Sequence, residues 1–471
     1  MARTSDARYA AAEALLKQLP HYPDMPLVEP DLELLSPPDA ALAVAIHRTT
    51  LRRLLTLQAL VDRPLSRPFH RLEAQVQAAL LTGAAQLAFF DRTPGYAAVD
   101  QAVELVRALG KPGAVGMVNA VLRSITRLTG DAEPGTPWRL EDDAVPLPGG
   151  GRLPILEPEV LSPVAKPDRR LAEACSLHRR LTKSWIDRFG LEKACELAEH
   201  SIQEPPTIVA MEPGFAPPAT DAEALSAGLP PAPWSEMLAP HESTDGWVYR
   251  GPRELLSALL RIDDRRSVQD PSSAATVGDL PDELLAGFAP RTVLDLCAGR
   301  GAKTRQLAQR CPDAQVFACD PDDNRFASLL ELAEELPNVT AIPMYEVEQH
   351  GPYGLVLVDA PCSNTGVLAR RLEARYRYHE NRLGTVVALQ REIVQRAASL
   401  ASPEGVLVYA TCSLEAPENR KQVDRLVRSS AGGWSLFVER QIWPGGSGST
   451  YRDGAYRAVM APAVDDGAGG R

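Results

Sequence analysis

The sequence Val293-Leu294-Asp295-Leu296-Cys297-Ala298-Gly299-Arg300-Gly301-Ala302-Lys303-Thr304 joins a short apolar run to a turn with two glycines. An apolar run of this length is typical of a buried strand, and glycine allows the backbone to turn sharply. We therefore predict that a strand over Thr292–Leu296 ends in a tight turn and that a helix begins at Thr304. A strand, a turn and a helix in this order form the first unit of an α/β fold.

The same alternation continues toward the C-terminus. The hydrophobic pattern predicts further strands at Gln315–Cys319, Gly354–Val358 and Gly405–Tyr409, with helices at Thr304–Gln309, Asn324–Leu336 and Val386–Leu400. Strands that alternate with helices indicate a parallel, doubly wound sheet that is covered on both faces. Ligands bind such sheets at the carboxyl ends of the strands.

An acidic residue follows the second predicted strand. Asp320 lies nineteen residues beyond Gly301, where a carboxylate can bind both hydroxyls of a ribose. The helix that opens at the glycine turn favours a carboxylate of the ligand at its N-terminus. These features predict a cofactor that contains adenosine. A Gly-Lys-Ser/Thr phosphate loop is absent from the sequence, which disfavours hydrolysis of nucleoside triphosphates.

Two cysteines follow predicted strands closely. Cys362 comes three residues after Asp359, and Cys412 ends the sequence Tyr409-Ala410-Thr411-Cys412. A thiolate that adds to C6 of cytosine makes C5 able to accept a methyl group, a carboxyl at N3 favours the addition, and a second base must remove the C5 proton. Two thiols and an aspartate meet these demands. For the other five cysteines we expect packing roles, with Cys297 beside the cofactor: Cys175, Cys195, Cys297, Cys311 and Cys319.

Composition and charge suggest several domains. A chain of 471 residues is too long to form one compact core, and its net charge of −11 is unevenly distributed along the sequence. The segment from Ala43 to Gly130 contains eleven basic and five acidic residues. The resulting local charge of +6 is compatible with phosphate binding. Apolar residues at helical spacing (Val118, Val121, Leu122, Ile125) predict helices there. We expect a helical domain at 1–135, a Pro/Gly-rich linker at 136–169, a small α/β subdomain that binds RNA at 170–265, and the catalytic core at 266–471.

Three runs carry a family resemblance. Asp295–Thr304, Asp359–Gly366 and Tyr409–Asn419, which ends in Pro-Glu-Asn, resemble the S-adenosylmethionine-dependent RNA 5-methylcytosine methyltransferases. Ser272-Ser273, Leu389-Gln390 and Asp453-Gly454-Ala455-Tyr456 are similar to flanking segments of that family. The sequence from Phe89 to Arg123 is similar to a NusB-like RNA-binding domain. The resemblance implies a multidomain protein with an all-α NusB-like domain and an α/β Rossmann-like class I S-adenosylmethionine methyltransferase core.

The resemblance also implies roles for individual residues. Cys412 would be the nucleophile at C6, Cys362 would assist product release, and Asp359 would hold cytosine N3 and lie beside the cofactor. Asp320 would bind the cofactor ribose and Glu346 the adenine. The methionine end of the cofactor would lie against Cys297, Ala298, Gly299, Arg300, Gly301, Ala302 and Lys303. Contacts with RNA are expected at Asn119, Arg123, Arg370, Arg371 and Arg377, with helix packing or plain solvation as the alternatives.

The layout of NusB-like helices ahead of this core implies a small-subunit ribosomal RNA as the substrate. We expect a monomer that works in the cytoplasm on RNA, without a metal and away from membranes. Gly299-Arg300-Gly301-Ala302 stands where the family's usual loop reads Ala-Pro-Gly-Gly. This departure leaves open an RNA-binding ribosome assembly factor with a weakened methyltransferase core. The RNA-facing loop after Gly366 also departs from the family's pattern, which leaves open the same chemistry on another RNA such as transfer RNA.

Overall fold

The computed structural model describes residues 6–91, 94–211, 214–263, 265–429 and 433–462. It divides into two compact units. The first unit comprises Met1–Glu204 together with Leu368–His379, and the second comprises Pro205–Val367 and Glu380–Arg471. We describe each unit by itself.

The first unit begins with a helical bundle. Its helices are α1 (Ala7–Gln18), α2 (Pro37–Arg52), α3 (Leu54–Asp62), α4 (Ala74–Phe89), α5 (Gly95–Ala108) and α6 (Val115–Leu128). The face of α6 that the spacing predicts is buried, from Val118 to Leu128. Gly83 allows α4 to approach α6 closely, because a Cβ at Gly83 would lie 2.7 Å from a methyl group of Leu122. The helical N-terminal domain expected from the sequence is confirmed.

A small antiparallel sheet and three helices complete the first unit. They are β1 (Glu133–Pro134), β2 (Ala144–Pro146), β3 (Gly151–Pro154), α7 (Pro167–Cys175), α8 (Arg179–Phe189) and α9 (Leu191–Ser201). The segment 136–169, for which the proline and glycine content predicts a linker, thus contains β2 and β3. Ion pairs of Arg152 with Glu133 (2.7 Å) and Asp142 (3.0 Å) hold the sheet together. Prolines are tolerated because β1 and β2 are edge strands and Pro154 is the last residue of the central strand β3.

The second unit opens with a four-stranded antiparallel sheet in the order β5-β6-β4-β7. Its elements are β4 (Thr207–Ala210), α10 (Asp221–Ser226), α11 (Trp234–Met237), β5 (Leu238–Pro240), β6 (Trp247–Tyr249), α12 (Arg253–Arg261) and β7 (Ser267–Val268). Trp234 is fully buried in the small core of this sheet, and Arg266 lies over the ring of Phe215.

The larger sheet of the second unit has seven strands in the order β10-β9-β8-β11-β12-β14-β13. The strands are β8 (Thr292–Asp295), β9 (Gln315–Ala318), β10 (Val339–Ala341), β11 (Tyr353–Asp359), β12 (Ala401–Thr411), β13 (Trp434–Ile442) and β14 (Ala455–Pro462). The helices around them are α13 (Pro271–Gly278), α14 (Asp282–Gly287), α15 (Ala302–Arg310), α16 (Asp323–Glu335), α17 (Glu380–Leu400) and α18 (Arg420–Ser429). Strands β8 to β12 are parallel, whereas β14 runs antiparallel to both of its neighbours.

The parallel strands form the core that the alternating pattern predicts. Leu355–Val358 in the middle of β11 is fully buried, which explains its unbroken apolar sequence, because a central parallel strand is covered on both faces. The Rossmann-like fold predicted for this region is confirmed, with β13 and β14 added as a mixed edge. None of the described helices is long and apolar enough to cross a membrane.

Candidate active site

The two cysteines singled out in the sequence lie together at the carboxyl ends of β11 and β12. These strands are parallel neighbours in which Asp359 pairs with Ala410. The sulfur atoms of Cys362 and Cys412 are 3.1 Å apart. The Sγ of Cys412 also lies 3.3 Å from Oδ1 of Asn364, a residue with a φ of 61°. The two loops therefore place two thiols in direct contact.

The environment of this pair makes the two thiols unequal. The hydrogen bond between Cys362 and Cys412 raises the pKa of Cys362 well above its ordinary value, and burial and the nearby negative charges of Cys412 and Glu418 add to the effect. Cys362 therefore remains a protonated thiol at neutral pH. A protonated thiol can donate a hydrogen bond to the neighbouring sulfur.

An ion pair lies at the end of the same strand. Lys303, in the first turn of α15, donates from Nζ to Oδ2 of Asp359 at 2.6 Å and to Oγ of Ser273 at 3.1 Å. Burial by itself would lower the pKa of Lys303, but the carboxylate of Asp359 outweighs burial and raises that pKa. Lys303 thus stays positively charged, and it holds the Asp359 carboxylate in one position.

The glycine turn and Asp320 meet at the neighbouring strand ends. Gly299 and Gly301 have φ values of 58° and 88°, in the left-handed region that favours glycine. The carboxylate of Asp320 accepts hydrogen bonds from the backbone N–H groups of Gly299 and Asp322, both at 3.0 Å. Arg300, between the glycines, is exposed. The turn is therefore fixed to the end of β9.

A buried carboxyl supports the turn from below. Oδ2 of Asp295 accepts a hydrogen bond from the Thr304 hydroxyl at 2.8 Å, while Oδ1 has no hydrogen-bond partner among the described residues. Burial raises the pKa of Asp295 to about 7, and the negative charge of Asp359 acts in the same direction. Oδ1 of Asp295, beneath the turn, is thus available for a further hydrogen bond.

Comparison with known proteins identifies both parts of the chain. Residues 5–127 match the NusB family, and residues 284–447 match the family described as 16S rRNA methyltransferase RsmB/F. The second match contains the glycine turn, Asp320, Asp359 and both cysteines. The chain joins a NusB domain to an RsmB/F methyltransferase domain.

Individual relatives agree over most of the length. The chain is 28% identical to "Ribosomal RNA small subunit methyltransferase B" of Xanthomonas campestris over 445 residues, which cover 91% of this chain and 90% of that protein. It is 27% identical to the protein of the same name in Vibrio cholerae over 438 residues, with 90% of each covered. A crystal structure of PH0851 shares the fold, with a TM-score of 0.66, 18% identity and coverage of 98% of this chain and 99% of that one.

The remaining cofactor candidates lie in the methyltransferase domain. Glu346 is half-buried and precedes a 3₁₀ turn, Val347–Gln349, beyond β10. Cys297 adjoins the glycine turn, and burial raises its pKa above the ordinary value. Cys319 is fully buried, with its sulfur 3.5 Å from the carbonyl oxygen of Leu296. Both thiols fit packing roles.

The candidate RNA contacts all belong to the first unit, which contains the NusB domain. On α6, Asn119 is half-buried and Arg123 is exposed. Arg370 and Arg371 are exposed, whereas Arg377 forms an ion pair at 3.0 Å with Glu373. The structure therefore collects the catalytic and cofactor candidates in one unit and the RNA candidates in the other.

One group of buried residues near the thiols had no role in the sequence reasoning. Glu418, the acidic residue of the Pro-Glu-Asn triplet, accepts hydrogen bonds from Ser363 and Ser413, the residues that directly follow the two cysteines. Gln390, from the Leu-Gln pair, donates to Glu418 at 3.1 Å. The family motifs contained these residues, but the contacts that join them are formed only in the fold.

Proposed function

We propose that this protein transfers a methyl group from S-adenosylmethionine to C5 of a cytosine in small-subunit ribosomal RNA. The observation that carries the proposal is the contact between two thiols, 3.1 Å apart, at the sheet rim that also holds Asp359 and the glycine turn. The names of the relatives and of the matching family support ribosomal RNA as the substrate.

The residues at the rim fit the cofactor. A Cβ at Gly299 would meet no heavy atom within 4 Å, so the turn leaves open space where a ligand can approach the backbone. Asp320 is oriented by two backbone N–H groups, as a residue that binds ribose hydroxyls requires. Residues 297–303 would hold the methionine end, and Glu346 the adenine. When bound there, S-adenosylmethionine supplies the electrophilic methyl group.

The protein's own residues activate the base. The thiolate of Cys412 adds to C6 of cytosine, the electrons of the C5–C6 double bond shift toward N3, and C5 becomes nucleophilic. N3 becomes more basic during the addition, and a proton shared between N3 and the Asp359 carboxyl group holds this edge of the base. The positive charge of Lys303, which contacts Asp359 at 2.6 Å, stabilises the negative charge that develops on the ring during addition.

Release of the product requires a second group. The proton on C5 must leave so that its electron pair can re-form the C5–C6 bond and expel the sulfur of Cys412. Cys362 lies 3.1 Å from that sulfur and is placed to assist this elimination. The reacting base must be single-stranded or extruded from its helix to reach the rim. Asn119, Arg123, Arg370, Arg371 and Arg377 would contact the RNA, and the protein would act as a monomer.

A methyl-transfer assay with labelled cofactor tests this proposal. Small-subunit RNA should become labelled, and digestion should yield 5-methylcytosine. Labelling of transfer RNA instead would show that transfer RNA is the substrate. Tight RNA binding without any methyl transfer would indicate an assembly factor and refute the proposed enzymatic activity.

Cysteine variants test the division of roles. Cys362→Ala should accumulate a covalent protein–RNA adduct, visible as a band that survives denaturation, because the intermediate forms but is not released. Cys412→Ala should form no adduct. Cys195→Ala, at a half-buried cysteine on α9, is the matched control and should behave like the unaltered protein. Equal behaviour of the two rim variants would contradict the assignment.

A further inference from the structure

Glu418 connects the two cysteine loops. Its Oε1 accepts a hydrogen bond from the backbone N–H of Ser363 at 2.7 Å, and its Oε2 accepts from the hydroxyl groups of both Ser363 and Ser413. Ser363 follows Cys362 in the chain, and Ser413 follows Cys412. A single carboxyl group thus binds the two loops at the positions next to their sulfurs.

The protein holds Glu418 firmly from two further elements. Gln390 on α17 donates through Nε2 to Oε1 of Glu418 at 3.1 Å and to the Pro361 carbonyl at 2.9 Å. The hydroxyl of Tyr409 on β12 donates to the backbone carbonyl of Glu418 at 2.6 Å. The Glu418 side chain is completely buried. Burial raises the pKa of Glu418, whereas the hydrogen bonds from Ser363 and Ser413 act to lower it. Among the described residues, the hydrogen-bond donors to its carboxyl group are all neutral, so no cation there cancels its charge at short range.

Groups of opposite charge interact with the two thiols. The Glu418 carboxylate acts on Cys362, and the ammonium of Lys303 interacts with Cys412. Among the described residues, other titratable groups in this region are Asp359, which is held by Lys303, and the phenol of Tyr409, which burial keeps neutral by raising its pKa. The negative charge of Glu415 adds to the rise in the pKa of Glu418. The negative charge of Glu418 therefore favours a proton on Cys362.

We propose that Glu418 is a positioning residue that ties the two cysteine loops together and keeps the proton of the pair on Cys362. The inference rests on the proposed function for its purpose, because it explains how two thiols in contact divide the roles of nucleophile and release group. It adds to that function a residue that touches neither the base nor the cofactor.

Titration of Cys362 tests the inference without RNA or cofactor, so its failure is distinct from a failure of the proposed function. Alkylation of Cys362 by iodoacetamide should be followed against pH in a Cys412→Ala protein, with and without Glu418→Gln. Glutamine keeps the shape and can keep the contacts, because its oxygen can accept from Ser363 N–H and Gln390 while its amide group donates to the two hydroxyls. Removal of the charge should increase the alkylation rate near neutral pH about tenfold, the equivalent of one pKa unit.

Controls separate the charge from general disruption. Glu439→Gln on β13 makes the same change at a carboxylate that pairs with Arg420, and it should leave the pH dependence of Cys362 unchanged. An unchanged midpoint in folded Glu418→Gln protein, or an equal shift in the control, would overturn the proposal. Glu418→Asp keeps the charge and gives a second measurement. Cys362 should be alkylated more slowly near neutral pH in this variant than in Glu418→Gln, and equal rates would also overturn the proposal.

Discussion

Replacement of Gly301 by alanine should destabilise the methyltransferase domain through two separable effects. The residue has a φ of 88°, and an added Cβ would lie 2.5 Å from Cδ2 of Leu332 and 3.2 Å from Cδ2 of Leu329. Both leucines are buried, so their methyl groups have little room to retreat. The left-handed backbone costs about 1–2 kcal/mol for a residue with a Cβ, and overpacking of this kind costs about 1–3 kcal/mol.

Gly299 provides the matched comparison within the same turn. Its φ of 58° is also left-handed, but a Cβ there would meet no heavy atom within 4 Å. Gly299→Ala should therefore cost only the backbone contribution, about 1–2 kcal/mol, whereas Gly301→Ala should cost about 2–5 kcal/mol. The difference between the two variants isolates the packing of the turn against α16.

Urea unfolding of the full chain measures both free energies, and hydrogen exchange at the amides of β8 assigns the loss to this domain. Gly301→Ala should shift the unfolding midpoint clearly further than Gly299→Ala. Equal losses would refute the reasoning, because they would show that the Leu332 contact does not limit the space at Gly301.

Two further predictions concern the first unit. Arg375→Ala should destabilise it by about 3–5 kcal/mol, because the buried guanidinium donates to backbone carbonyls, such as that of Ser176 at 3.1 Å, which would lose their partner. Arg377→Ala is the control, and equal losses of stability in thermal unfolding of the two variants would contradict this prediction. Nε2 of His47 is hydrogen-bonded to Oε1 of Gln18 at 2.8 Å, and burial is the main cause that lowers the pKa of His47 to about 4. Its neutral form stabilises the fold above pH 6.5, so stability should fall by on the order of 3 kcal/mol between pH 6.5 and 4, and His47→Gln should flatten that profile.

The sequence predicts the central parallel strands of the larger sheet well because they are largely buried on both faces, but it misses β10, a three-residue edge strand that is only partly buried. The central strands have unbroken apolar runs, and β8, β9 and β11 begin and end within two residues of the predicted bounds. Strands β5, β6 and β7 have two or three residues each, too short for any periodicity to be recognised. Their position depends on contacts with distant segments. Short strands in proline-rich sequence, such as β2 and β3, cannot be predicted from the sequence for the same reason.

The arginines show a different limit of sequence reasoning. Arg370, Arg371 and Arg377 are expected at a solvated or RNA-binding surface, and Arg375 lies in the same basic stretch of sequence. In the fold, Arg370 and Arg371 are exposed while Arg375 is fully buried. Composition cannot distinguish these residues, because burial of an arginine depends on carbonyl groups supplied by other segments. The Glu418 contacts escape prediction similarly, since Ser363 and Ser413 are fifty residues apart.

The contact between the sulfurs also orders the proposed reaction in time. Two thiolates 3.1 Å apart would repel strongly, so the pair carries at most one negative charge while both thiols are free. The hydrogen bond to Cys412 and the negative charge of Cys412 are two of the causes that raise the pKa of Cys362. Once Cys412 is bonded to C6 it is a neutral thioether, and both causes are weakened or lost. Cys362 therefore becomes easier to deprotonate after the covalent bond has formed, which is the stage at which the C5 proton must be removed.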